Sequence, residues 1–263
     1  DPFFAGTYLP RAQFLQLLDG AAHAWETDRE RVLSSGATVA ERLRELTGPP
    51  APTVIDPDVC DTAVRRLRST YDEARGGFGG APKFPPSMVL EFLLRHHART
   101  GSADALAMVT GTAHAMARGG LYDQLGGGFA RYSVDADWVV PHFEKMLYDN
   151  GLLLRVYLHW WRATGDPVAE RVVRDTASFL LRDMRSGAFI SALDADTEGV
   201  EGLTYAWTPA QLVDVLGADD GAWAAQLLEV TDAGTFEHGA SVLQLRREPD
   251  DAARWAGVRR RLL

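Results

Sequence analysis

The stretch Gly119-Gly-Leu-Tyr-Asp-Gln-Leu-Gly-Gly-Gly-Phe-Ala-Arg-Tyr-Ser-Val-Asp-Ala-Asp-Trp-Val-Val-Pro-His-Phe-Glu-Lys-Met-Leu-Tyr-Asp-Asn150 decides how this chain is read. It gathers glycines, aromatics, carboxylates, a histidine and a lysine into a loop that runs into a helix pattern. Of the 27 basic residues only Lys83 and Lys145 are lysines, and Asn150 is the only asparagine. A composition so rich in arginine and alanine keeps all three inside Gly/aromatic segments, so those segments answer to a local requirement. Pro141 suits a first helical turn, where its missing N–H costs nothing. From there His142, Lys145 and Asp149 are expected on one helix face.

Outward from this stretch the pattern is mostly helical. An amphipathic run after Pro10 carries Phe14, Leu17, Leu18, Ala21 and Trp25 at helical spacing and continues to about Gly48. Pro49, Pro50 and Pro52 form a stiff linker, read as a domain boundary. Helices are predicted at about 57–74, 87–100, 103–118, 142–164, 167–184, 209–216, 219–229 and 249–263. Ala188 to Asp194 and Leu203 to Trp207 are predicted to pair as a short β-hairpin. Gly76-Gly77-Phe78, Gly119-Gly120-Leu121 and Gly187-Ala188-Phe189 each follow a helix and open a long loop. This loose repeat suggests stacked helical hairpins whose loops gather on one face.

Three loop segments carry candidate chemistry. Residues 76–86 surround Lys83 and Phe84 with glycine and proline, which excludes helix and sets these two side chains at a pocket rim. In the central stretch, Asp123, Asp135, Glu144 and Asp149 accompany His142, and a histidine near carboxylates can act as a general acid or base. The third segment holds Asp194, Asp196, Glu198 and Glu201 beside Tyr205 and Trp207. Paired carboxylates with aromatic rings suit sugar chemistry, in which one carboxyl donates a proton and rings stack on the sugar. Asp-x-Asp-x-Glu-Gly lacks the closing glutamate of a calcium loop. Each segment also has a plainer reading: a rigid connector, an ion pair within a loop, a solvated acidic turn.

The bulk composition narrows the classes. With 263 residues, 46% apolar and 24% charged, the chain suits one large or two small globular domains. A formal charge of −9 argues against nucleic acid or an anionic membrane as main partner. No apolar run is long enough to span a bilayer. The lone Cys60 excludes an internal disulfide framework and a cysteine zinc site, and a reducing cytoplasm is the expectation. Walker A, HExxH, GxSxG and GxGxxG motifs are absent, so neither metal nor cofactor is expected. The chain reads as an excerpt of a longer polypeptide.

Phe3-Phe-Ala-Gly-Thr-Tyr-Leu-Pro10, Gly76 to Pro85, Gly119 to Asn150 and Ser191 to Trp207 together resemble the thioredoxin-domain-containing family of spermatogenesis-associated protein 20 and the bacterial YyaL proteins. The resemblance implies a mainly α fold, part of an (α/α)6 toroid of the six-hairpin kind shared with N-acylglucosamine 2-epimerases. It assigns residues 1–50 to the end of a thioredoxin-like domain and residues 51–263 to the first part of the toroid. The rest of the polypeptide, or another chain, would complete the ring. A sugar epimerase, isomerase or glycosidase-like activity is the corresponding expectation. His142 with Asp123, Asp135 or Glu144 would do acid/base work, and Asp194 and Asp196 would form a second carboxylate cluster. Tyr132, Trp138, Tyr205 and Trp207 would stack on a sugar-like ligand, and Lys83, Phe84, Lys145, Asp149, Asn150 and Glu201 would bind it. The alternative is a non-catalytic helical module attached to a thioredoxin-like redox domain. Where the family more often shows a glycine, this sequence has His238.

Overall fold

Helix-forming runs separated by glycine and proline dictate the architecture. The computed structural model describes residues 6, 8–48, 56 and 58–263, and it divides into two units, residues 1–56 and 57–263. In the first unit the long amphipathic run is two helices rather than one. Helix α1 (Arg11–Thr27) and α2 (Arg29–Thr47) are interrupted at Asp28, whose φ of −143° is not helical. Neither helix buries a residue. The proline linker and part of the Phe3–Pro10 stretch lie outside the described residues.

The second unit contains α3 (Val59–Thr70), α4 (Ser87–Thr100), α5 (Ala103–Arg118), α6 (Leu147–Thr164) and α7 (Pro167–Arg182), followed by α8 (Pro209–Leu216), α9 (Ala218–Leu227) and α10 (Ala252–Leu262). Hairpins α4–α5 and α6–α7 stack so that α4 touches α6 in one row, while α3, α5 and α7 touch in the other. This two-row stacking is an α/α toroid arrangement, of which the described residues form a part. Tight turns make it possible: Gly101 and Gly165 close α4 and α6 in the left-handed conformation, and Asp166 caps α7 ahead of Pro167.

Between the rows lies an apolar core that includes Leu90, Leu93, Met108, Met116, Tyr157 and Trp160. Side chains of this size stabilise a fold by about 1.5–3 kcal/mol each when fully buried. A second core joins α8, α9 and α10 through Leu212, Leu216, Leu227 and Val258, with Leu125 of the central stretch inserted into it. The central loop is therefore clamped between two cores.

Two sequence expectations change here. Residues 141–146 are extended rather than the first turn of a helix: Pro141–His142 pairs antiparallel with Tyr132–Ser133, and Lys145–Met146 with Ala192–Leu193. Helix α6 begins only at Leu147. The expected hairpin also dissolves. Ala192–Leu193 pairs with the central stretch, and Ala206–Trp207 pairs with Ser241–Val242 instead.

Candidate functional site

The loop after α3 and the loop after α5 are built on the same plan. Tyr71-Asp72-Glu-Ala-Arg-Gly76-Gly77-Phe78 matches Tyr122-Asp123-Gln-Leu-Gly-Gly127-Gly128-Phe129. In both, the tyrosine and phenylalanine form an antiparallel bridge and their rings touch, with centroids 5.6 and 4.8 Å apart. Both glycine pairs take positive φ, between 72° and 83°, where a side chain would be strained. One lysine closes each loop. Lys83 Nζ donates to Asp72 Oδ2 (2.8 Å) and Gly76 O (2.9 Å); Lys145 Nζ donates to Asp123 Oδ2 (2.7 Å) and Gly127 O (3.0 Å). The repeat is real, but its second copy is Gly127-Gly128-Phe129, not Gly119-Gly120-Leu121. In the third copy, Asp183 is paired with Arg182 and Gly187-Ala188-Phe189 turns a hairpin.

Much of the polar signature is thus spent on holding loops. Lys83 and Lys145 are each 2% exposed. Burial alone would raise the Asp123 pKa, but the Lys145 charge and the N–H groups of Gly126 and Leu125 bring it below the ordinary value. For Asp72 the hydrogen bond from Lys83 is the largest influence, and it too is lowered. Asn150 reaches back from α6 to clamp one residue: Phe129 N–H donates to its Oδ1 (2.7 Å), and its Nδ2 donates to Phe129 O (3.0 Å). Asp135 accepts from the N–H groups of Asp137, Val139 and Val140, and so shapes the turn. Each of these groups is already paired within its own loop.

The expected aromatic platforms are likewise occupied. Trp138 is 1% exposed, and its Nε1 donates to Arg75 O. Trp207 packs against the α8–α10 core. Tyr205 stacks on Phe143 at 5.5 Å with Lys145 Nζ 4.9 Å from its ring centroid. Tyr132 has Phe84 stacked on it at 4.7 Å and His142 at 5.3 Å.

Residues 141–146 sort their side chains by the two-residue period of an extended strand. Pro141, Phe143 and Lys145 are buried and line a cavity of about 280 Å³ together with Asp123, Gln124, Asp183 and Tyr205. His142, Glu144 and Met146 are only partly buried, and neither His142 nor Glu144 lines that cavity. Asp123 and His142, expected to act together, therefore belong to opposite sides of one segment, and the helix face expected to join His142, Lys145 and Asp149 does not exist.

On the outer side, Glu201 Oε1 lies 2.8 Å from His142 Nδ1 and Glu144 Oε2 lies 3.8 Å from His142 Nε2. Phe84, Tyr132 and His142 form a continuous ring stack ending on the imidazole. Arg131, absent from the sequence expectation, pairs with Asp149 (2.9 Å) and lies over both Phe84 and Tyr148. Burial raises the Asp149 pKa against the opposing pull of Arg131, and Glu144 adds to the rise. Asp194 and Asp196 stay exposed on the acidic turn, where Asp194 Oδ1 accepts from Asp196 N–H (3.1 Å). Among the described residues, no three His, Cys, Asp or Glu are placed to hold a metal ion, and no helix is long and apolar enough to cross a membrane.

No family model matches the chain. Spermatogenesis-associated protein 20 of Rattus norvegicus is 33% identical over 291 residues, covering 93% of this chain and 36% of that protein. The Homo sapiens protein of the same name is 33% identical over 272 residues, covering 89% of this chain and 34% of that protein. The chain thus spans about a third of the length of the curated relatives it matches. Among solved structures, a sugar epimerase from a ruminal bacterium is similar with a TM-score of 0.46 at 16% identity, over 72% of this chain and 50% of that one. Cellobiose 2-epimerase from Spirochaeta thermophila gives 0.43 at 21% identity, over 54% and 42%.

Proposed function

The chain is a homologue of spermatogenesis-associated protein 20 over most of its length, and on that premise we propose that its outer face is an acid/base site for a small polyhydroxy substrate. In this reading residues 1–50 end a thioredoxin-like domain, residues 51–263 begin an (α/α)6 toroid, and the longer polypeptide completes the cleft. The observation that carries it is the His142–Glu201 contact of 2.8 Å with Glu144 on the other side of the ring. A carboxylate on Nδ1 fixes the tautomer and orientation of an imidazole, leaving Nε2 to exchange a proton with substrate. His142 is then the base, Glu201 orients it, and Glu144 helps return the proton.

Epimerase or isomerase chemistry fits this better than glycoside hydrolysis. A hydrolase needs two uncommitted carboxyl groups across the bond. Asp123 is held by Lys145 and Asp135 by three backbone N–H groups. A second reading, a binding module without chemistry, is favoured by the same commitments. The test is exchange of substrate C–H for deuterium, followed by NMR in D2O over a panel of reducing sugars with the full-length protein. Exchange is expected with at least one sugar, falling about 10²–10⁴-fold in His142→Ala. Binding without exchange supports the second reading, and exchange retained in His142→Ala overturns the first.

A further inference from the structure

Helices α4 and α6 end side by side where only short turns join the rows, away from the long signature loops. The groove between them collects positive charge in a chain whose formal charge is −9. It is lined by Arg95 and His97 of α4 and by His159 and Arg162 of α6, with Leu94, Ala98 and Ala163 as apolar wall. Among the described residues its only acidic lining residue is Glu91, which is buried. Glu91 Oε1 accepts from Arg95 Nε (2.7 Å) and Arg155 Nη2 (3.2 Å), and Oε2 lies 2.9 Å from His159 Nδ1. Burial alone would raise the Glu91 pKa, but His159, Arg95 and Arg155 bring it below the ordinary value, so the carboxyl is ionised. Arg162 is exposed and has no hydrogen bond or ion pair among the described residues. One carboxylate is thus set against three guanidinium groups.

The leftover charge and the two imidazoles define the ligand. His97 Nδ1 lies 2.9 Å from Ser102 O, which can only accept, and His159 Nδ1 lies against the Glu91 carboxylate. Each ring therefore carries a proton on Nδ1, and its Nε2 can donate only when the imidazole is protonated. No charged side chain of α5 or α7 lines the groove. The uncompensated guanidinium charge matches a dianion, and arginine presents a planar fork of donors suited to phosphate oxygens. A phosphate monoester carries about −1.5 to −2 near neutral pH. The groove holds about 400 Å³, within the roughly 300–1,000 Å³ of small-molecule sites, and no Phe, Tyr or Trp lines it to stack a nucleobase. We infer that this groove binds the phosphate group of a small ligand, held by Arg95, Arg162 and Nε2 of His97 and His159, with uptake of protons. The site stands apart from the His142 face.

Isothermal titration of the full-length protein with inorganic phosphate, glycerol 3-phosphate and sulfate tests this. Saturable phosphate binding is expected. Tighter binding of glycerol 3-phosphate assigns the group to an ester, and equal binding assigns it to the free ion. Sulfate keeps its charge between about pH 8 and pH 6, and its affinity should rise toward the lower value as the imidazoles take up protons. Arg162→Ala should weaken phosphate binding about tenfold. Arg174→Ala removes an exposed arginine that pairs with Glu170 outside the groove, and should leave binding unchanged. His142→Ala should also leave it unchanged, which separates this site from the outer one. The inference is overturned if neither phosphate nor glycerol 3-phosphate binds saturably, if Arg162→Ala and Arg174→Ala behave alike, or if sulfate binds no better at the lower pH.

Discussion

Lys145 stands to Asp123 as Lys83 stands to Asp72: each ammonium reaches one carboxylate and the carbonyl four residues beyond it. The only two lysines of the chain perform the same task in two copies of one loop. Removing either takes away the cation paired with that carboxylate, and at Asp123 the carboxylate left behind is buried. Lys145→Met should cost about 3–5 kcal/mol in denaturant unfolding. Lys83→Met should cost less, because desolvation is the largest influence on Asp123 but not on Asp72. Pairing Lys145→Met with Asp123→Asn should recover part of the loss, since the buried charge goes with its partner.

Asn150 satisfies both backbone groups of Phe129 from the first turn of α6. Asn150→Leu strands a buried N–H and a buried C=O, and should lower stability by about 2–4 kcal/mol. Asn150→Asp sets a buried carboxylate against the Phe129 and Met146 carbonyls, so it should cost at least as much as Asn150→Leu. Thermal unfolding of the three proteins gives the order.

These roles explain how much could be read from sequence. Helices at 87–100 and 103–118 were legible because apolar periodicity and the glycine that follows agree, and the structure places them at Ser87–Thr100 and Ala103–Arg118. The segment Pro141-His-Phe-Glu-Lys-Met146 misled. Its burial alternates every second residue, which is a strand signal, but a buried lysine at one of the inward positions disguised it. The match of Tyr71–Phe78 to Tyr122–Phe129 was present in the sequence and gives the partner of each lysine. Nothing local marked Asp135 as a turn former, or Tyr132 as a support for His142. Both depend on which strands pair.

Stability should be lost at both ends of the pH scale. Asp123 and Asp72 have lowered native pKa values, so their contribution is complete above the ordinary carboxylate range. It disappears as pH falls through those lowered values, and the denaturation midpoint should decline below about pH 5. Tyr205 behaves in the opposite direction. Burial, then the charges of Asp123 and Asp183, push its pKa up to about 12 from 10.0. Its contribution is whole below the unfolded value and is lost as pH rises through the native one. Tyr205→Phe should flatten that alkaline decline while leaving the acid limb unchanged.

The central claim is that substrate meets the outer side of residues 141–146, at His142. Its imidazole can be watched directly in ¹⁵N-labelled full-length protein, with His142→Gln identifying the signals. On titration with any sugar that undergoes C–H exchange, both His142 nitrogen resonances should shift, saturating with the same dissociation constant as the exchange. Glu201→Gln should change the starting tautomer balance and weaken the exchange. A sugar that exchanges at full rate while the His142 resonances stay fixed would contradict the account.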